Sequence, residues 1–191
     1  AKEGEEPKYL GGTGVGGGIV INGQIYEGQY AAGAELGHIL LIKDGAQCSC
    51  GRKGCWEAYA SATGLIRMTK EAMEYNKDSL LWKASEEEGK VSARTAFNAM
   101  RMGDTTAQAV VDKYIKYLAC GIVNTINVFQ PDILCIGGGV CNEGDPLLLP
   151  LKALVEKEVY TKNSPKNTEI VIAQLGNDAG IIGAAFLGLS K

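Results

Sequence analysis

The sequence predicts an α/β fold, and three observations predict it. A glycine-rich run, Gly11 to Gly18, opens into two short apolar stretches joined by Asn22-Gly23. Between Thr105 and Phe129, Ala107, Val111, Tyr114, Leu118, Ile122, Ile126 and Phe129 recur at three-and-four spacing. Behind that helical pattern, two short apolar runs flank a further helical one. Strand-length and helix-length patterns mixed along one chain indicate layered helix and sheet rather than a bundle or a sandwich.

Asn-Gly between Ile19-Val20-Ile21 and Gln24-Ile25-Tyr26 is a strong hairpin signal, because the tight turn needs positive φ. A glycine-rich turn beside a strand also lets backbone N–H groups approach phosphate oxygens, with Thr13 adding a hydroxyl donor, although glycine runs equally serve plain tight turns. Gly28 to Ala34 is a small, polar loop that delivers Glu35. Residues 58–76 read as mostly helix from the spacing of Leu65, Ile66, Met68, Ala72, Met73 and Tyr75. Charge dominates residues 78–89 and predicts a surface segment.

A short helix is predicted over residues 92–102 with Ser92 as its cap. The clearest helix, residues 105–129, has a capping box in Thr105 and Gln108 and is stopped by Pro131. Asp132 to Ile136 is a continuous apolar run of strand length, which predicts burial on both faces. It ends in Gly137-Gly138-Gly139, at the sheet edge that ligands favour in open α/β sheets, although a plain strand-to-helix turn fits the pattern as well. A helix over residues 147–160, opening at Asp145-Pro146, leads to a last strand at Glu169 to Ala173. Asn177-Asp178 then caps a small-residue helix from Ala179 to about Leu189.

The chain has 191 residues, 46% hydrophobic and 21% charged, an ordinary globular composition far from disorder. Its net charge of -3 argues against nucleic acid as a direct partner, because phosphate binding needs a basic face. No apolar run approaches the roughly 20 residues that span a bilayer, and no signal peptide opens the chain, so a cytoplasmic protein without a membrane partner is expected. The chain begins at Ala1 with polar, unpatterned residues, so residues 1–10 read as disordered or as a linker remnant of a longer protein.

Chemistry concentrates between Glu35 and Glu57. The sole histidine, His38, is followed by Cys48, Cys50 and Cys55, the last two separated by Gly-Arg-Lys-Gly. One imidazole and three thiols at this spacing fit a closed tetrahedral zinc site, with Zn–S near ~2.3 Å, and such a site is structural because it keeps no open position. Gly51 and Gly54 suit a loop that must wrap thiolates around one ion. Disulfides, or small buried thiols with a core histidine, are the alternatives. Cys-x-Cys is too close for an easy mutual disulfide, and zinc accounts for all four residues at once. Glu35 stands three residues before His38 and Glu57 two after Cys55, so one ion would fix two carboxylates that can accept hydrogen bonds from a polyol. The alternative is a pair of solvated glutamates.

Glu-Leu-Gly-His followed by Cys-Ser-Cys-Gly-Arg-Lys-Gly-Cys-Trp-Glu-Ala-Tyr-Ala-Ser resembles the signature of the ROK family of bacterial sugar kinases and sugar-responsive repressors, above all its glucokinase branch. The resemblance extends from about Gly11 to the C-terminus. It implies one lobe of the actin-like ATPase (ribonuclease H-like) fold over residues 11–178, with the zinc loop at 38–55 and residues 179–191 packing as a helix on an N-terminal lobe. It also implies that Gly12, Thr13 and Gly14 form a phosphate motif, that Gly137, Gly138 and Gly139 contact adenosine, and that Glu35, His38 and Glu57 hold a hexose. The expected reaction of the full-length protein, a homodimer, is phosphorylation of a hexose, glucose foremost, by ATP with Mg²⁺. One departure is Gly11, where relatives carry an apolar strand residue.

In the family, an Asp-x-Gly-x-Thr loop and a catalytic Asn-Asp pair precede the glycine run, and neither stands ahead of Gly11 in these residues. Asp44 and Asp178 are the only substitutes for the base, without supporting context. No catalytic residue is therefore assigned, and the isolated chain is expected to transfer no phosphate. The alternative function is the effector domain of a sugar-responsive repressor, whose DNA-reading helices would lie upstream.

Overall fold

The computed structural model of the chain describes residues 14–176 and 178. The expected linker at 1–10, the phosphate-motif residues Gly12 and Thr13, and the terminal helix at 179–191 lie outside the described residues.

Among the described residues six helices form the body: α1 (Glu57–Ala60), α2 (Ala62–Tyr75), α3 (Leu81–Glu87), α4 (Thr95–Arg101), α5 (Thr105–Phe129) and α6 (Asp145–Glu158). The apolar face of α5, including Val111, Tyr114, Leu118, Ile122 and Ile126, forms the centre, and α1, α2, α4 and α6 pack on it. Leu65, Leu81, Phe97, Val111, Leu147 and Leu151 are the largest fully buried apolar side chains among the described residues. Every buried side-chain nitrogen and oxygen among the described residues has a hydrogen-bond partner.

The ends of these helices follow from single side chains. Ser61, in extended conformation, accepts from the Gly64 N–H at 3.0 Å and starts α2, which divides the one helix predicted over 58–76 into two. The cap of α5 is Asp104 rather than Thr105: its carboxylate accepts from the Ala107 N–H at 2.9 Å, while Gln108 bonds Asp112 instead of closing a capping box. Asp104 also accepts from the Ser79 hydroxyl at 2.7 Å and from the Leu80 N–H, so it joins the start of α5 to the start of α3. Burial pushes its carboxyl up, but the bonds from Ala107, Ser79, Leu80 and Thr106 prevail and hold it below the ordinary carboxylate range. Gln130, in left-handed conformation at φ 43°, ends α5 ahead of Pro131.

Two expectations need correction here. Residues 78–89 are not merely a charged surface segment, because Leu81 and Ala84 are buried on α3 beneath the charges. The helix predicted from Ser92 begins at Thr95, and the Ser92 hydroxyl instead holds a preceding turn by accepting from the Arg94 N–H at 3.0 Å.

The strands are short. β1 (Val20–Ile21) and β2 (Gln24–Ile25) pair antiparallel across Asn22 and Gly23, at φ 53° and 76°, the double positive-φ turn that Asn-Gly favours. β3 (Ile133–Ile136) and β4 (Glu169–Ile172) pair in parallel with α6 as the crossover, the form that parallel neighbours require. β3 is not buried on both faces as its apolar run predicts. With β4 its sole strand neighbour among the described residues, it alternates exposed and half-buried, and Ile133 is 59% exposed. No helix among the described residues is long and apolar enough to cross a membrane.

Candidate functional site

The segment between Glu35 and Glu57 is held from several sides. Leu36–His38 forms a single 3₁₀ turn whose Gly37 lies against the Val15 carbonyl, where a Cβ would collide. Isolated antiparallel bridges join Leu40 to Cys55 and Gln47 to Lys53. Gly54 takes φ 86°, and a Cβ there would run into the Ile42 carbonyl, so backbone approach and torsion both require glycine. The Tyr59 hydroxyl accepts from the Ala46 N–H at 2.6 Å, and Arg52 Nη1 donates to the His38 carbonyl at 3.2 Å. Trp56 lies flat against Gly121 of α5, where a Cβ would penetrate its indole, and donates its Nε1–H to the Tyr117 carbonyl at 2.9 Å.

This frame brings the four predicted metal ligands together. The ligand atoms of His38, Cys48, Cys50 and Cys55 all lie within 4.8 Å of one another. His38 Nδ1 is 3.6 Å from Cys48 Sγ, and Cys50 Sγ is 3.7 Å from Cys55 Sγ. A tetrahedron with arms of ~2.3 Å has edges of about 3.8 Å, so these separations fit a single zinc-sized ion. Burial, aided by the neighbouring thiols, pushes the Cys55 thiol up to about 12. The Arg52 backbone N–H, and then Cys48, hold the more exposed Cys50 below its usual value. Thiols this close resist ionising together, and a divalent cation at their centre would remove that resistance.

The three predicted sugar-binding residues adjoin the same cluster. His38 turns Nδ1 toward the thiols, and its Nε2 lies 4.0 Å from Glu35 Oε2, so the ring links cluster to carboxylate. The Glu35 side chain is 67% exposed. Glu57 is more constrained. Its Oε1 accepts from the Ser49 hydroxyl at 3.2 Å and from the Cys48 thiol at 3.7 Å, while its Oε2 accepts from the Val15 N–H at 3.0 Å. Sequence reasoning missed Ser49 and Val15. Ser49 could have been noticed as the residue between two ligands, but Val15 is 42 positions from Glu57 and carries no signal beyond its glycine-rich surroundings.

Gly14 and Gly137, Gly138 and Gly139 border one cavity of about 460 Å³, with Leu36 and Trp56, the chain neighbours of Glu35 and Glu57, also in its wall. Gly14, the described residue of one predicted nucleotide turn, therefore shares one space with Gly137, Gly138 and Gly139 of the other. Asp44 is unlike a catalytic base: its exposed carboxylate pairs with Lys43 at 3.2 Å.

A helical body carrying a parallel strand pair, with glycine turns around a shared cavity, is the architecture of one lobe of an actin-like ATPase. The chain belongs to the ROK family, which it matches over residues 9–191. The glucokinase of Halalkalibacterium halodurans is 42% identical over 177 residues, covering 92% of this chain and 53% of that protein. The glucokinase of Thermotoga maritima is 40% identical over 176 residues, with coverage of 91% and 55%. Among solved structures, a ROK family glucokinase from Streptomyces griseus in complex with glucose and AMPPNP superposes with a TM-score of 0.83 at 31% identity, covering 92% of this chain and 57% of that one. The xylose repressor of Bacillus subtilis is 26% identical over 171 residues. The chain spans about half the length of the curated relatives it matches.

Proposed function

We propose that the full-length protein is an ATP-dependent hexose kinase of the glucokinase type, glucose being its foremost substrate, and that this chain supplies the sugar rim, a structural zinc site and part of the nucleotide site. The observation that carries the reading is that Val15, bonded to Glu57, and Leu36 and Trp56, the chain neighbours of Glu35 and Glu57, stand in the wall of a cavity that Gly14 and Gly137 to Gly139 also border. Carboxylates accept hydrogen bonds from adjacent sugar hydroxyls, and a rim fixed by a rigid loop holds those hydroxyls in one orientation. Zinc would be held by His38, Cys48, Cys50 and Cys55, and it would keep the thiols ionised and the loop closed. Backbone amides at Gly12, Thr13 and Gly14, and at Gly137, Gly138 and Gly139, would face phosphates and adenosine. Mg²⁺ bound with ATP would neutralise phosphate oxygens, and phosphoryl transfer is otherwise a matter of positioning and electrostatics. The full-length protein is proposed to be a homodimer.

A coupled assay with glucose and Mg-ATP tests this: the full-length protein should turn over, and the isolated 191 residues should not, because they lack the base ahead of the glycine run. A full-length protein inactive on every hexose would overturn the reading. Elemental analysis should find one zinc per chain, and chelation should lower the melting temperature. The repressor alternative is weaker, since the repressor relative is 26% identical against 42% for a glucokinase. Sequence-specific DNA binding by the full-length protein would reverse that preference.

A further inference from the structure

The glycine turn and the acidic rim share one side chain. We propose that Glu57 physically couples them, so that residue 14, in the phosphate-facing run, governs affinity for the sugar; this rests on the hexose reading above. Glu57 Oε2 is seated on the Val15 N–H at 3.0 Å, and its Oε1 is held by the Ser49 hydroxyl at 3.2 Å. A carboxylate offers about four acceptor positions, so the Val15 and Ser49 donors leave room for sugar hydroxyls and fix the direction in which they are accepted. The second observation is independent. A Cβ on Gly14 would strike Glu57 Oε2, with the Glu57 side chain supplying all of the nearest atoms. What the position demands is space for this carboxylate.

The consequence is reciprocal. If the turn sets the pose of Glu57, ordering the turn on phosphate strengthens the grip on sugar, and sugar held by Glu57 stiffens the turn by the same factor. Glu57 thus positions the glycine turn in addition to holding the sugar.

Gly14→Ala in the full-length protein tests the coupling. The added methyl displaces the carboxylate, the flexible partner. The glucose Kd, measured by calorimetry without nucleotide, should rise about tenfold, the loss of one charge-assisted hydrogen bond. Gly16→Ala, where an added Cβ meets nothing within 4 Å, should leave the glucose Kd unchanged. In the wild type, saturating glucose should tighten AMPPNP binding, and Gly14→Ala should abolish that tightening. A folded Gly14→Ala protein with wild-type glucose affinity overturns the coupling while leaving the hexose reading intact, whereas a wild-type protein that binds no hexose overturns both. Should Gly14→Ala fail to fold, Glu57→Gln carries the test from the other side. Its AMPPNP Kd, measured with no sugar present, should rise several-fold as the Val15 amide loses its carboxylate, and an unchanged value overturns the proposal.

Discussion

The helical body and the strand side of this chain solve burial differently. In the body, Phe97, Leu65, Leu81, Leu147 and Leu151 are sealed among six helices. On the strand side, β1 and β2 are exposed throughout, and β3 keeps Ile133 in solvent. Apolar burial is the dominant stabilising term in folding, so the body holds the structure and the strand side is carried by it. The cysteine loop belongs to the body, through Trp56 on Gly121, whereas the glycine turns border the less buried side.

Substitutions can break that contrast or sharpen it. The largest effect should come from Phe97→Ala, which empties a fully buried site in the body and should cost about 3–5 kcal/mol in urea unfolding. Gly121→Ala should follow at about 1–3 kcal/mol, because the new methyl overpacks against Trp56. Its diagnostic signature is a loosened cysteine loop, read as weaker zinc retention during titration with a chelator.

Asp104→Ala should cost about 2 kcal/mol by removing the cap that joins α3 and α5. The sign of its pH dependence is fixed. The folded carboxyl lies below its unfolded value, so its stabilisation is complete above the ordinary carboxylate range and is lost as pH falls through the lower, folded value. Thermal melts between pH 7 and pH 2 should therefore show a shallower acid limb in Asp104→Ala than in the wild type. The smallest effect is expected on the strand side. Ile133→Ser, at a residue 59% exposed, should shift stability by no more than about 0.5 kcal/mol. A loss comparable to that of Phe97→Ala would erase the distinction between the two regions.

The parts legible in the sequence were those governed by local rules. The 105–129 helix follows from its apolar period, the hairpin from Asn22-Gly23, and the gathering of His38 with three cysteines from spacing and loop glycines. Illegible parts depended on distant partners or on a close contest between local ones. Charge around α3 masked Leu81 and Ala84, which decide its burial. Thr105 was expected as the cap of α5, but Asp104 holds that place and also satisfies Ser79 and Leu80, 24 to 25 residues away. The apolar run at β3 signalled a strand, but burial depends on how many neighbours flank it. Glu57 was recognisable as a candidate polyol acceptor, whereas its bond to Val15 exists only once the chain has folded.

The indole of Trp56 resting on Gly121 has a consequence for how related sequences can vary. The notch in α5 exists because residue 121 has no side chain, and a tryptophan fills it from 65 positions earlier. Bulk at the two positions is thus a shared quantity: a relative that enlarges residue 121 must shrink residue 56, and covariation between them would trace the dovetail through the family.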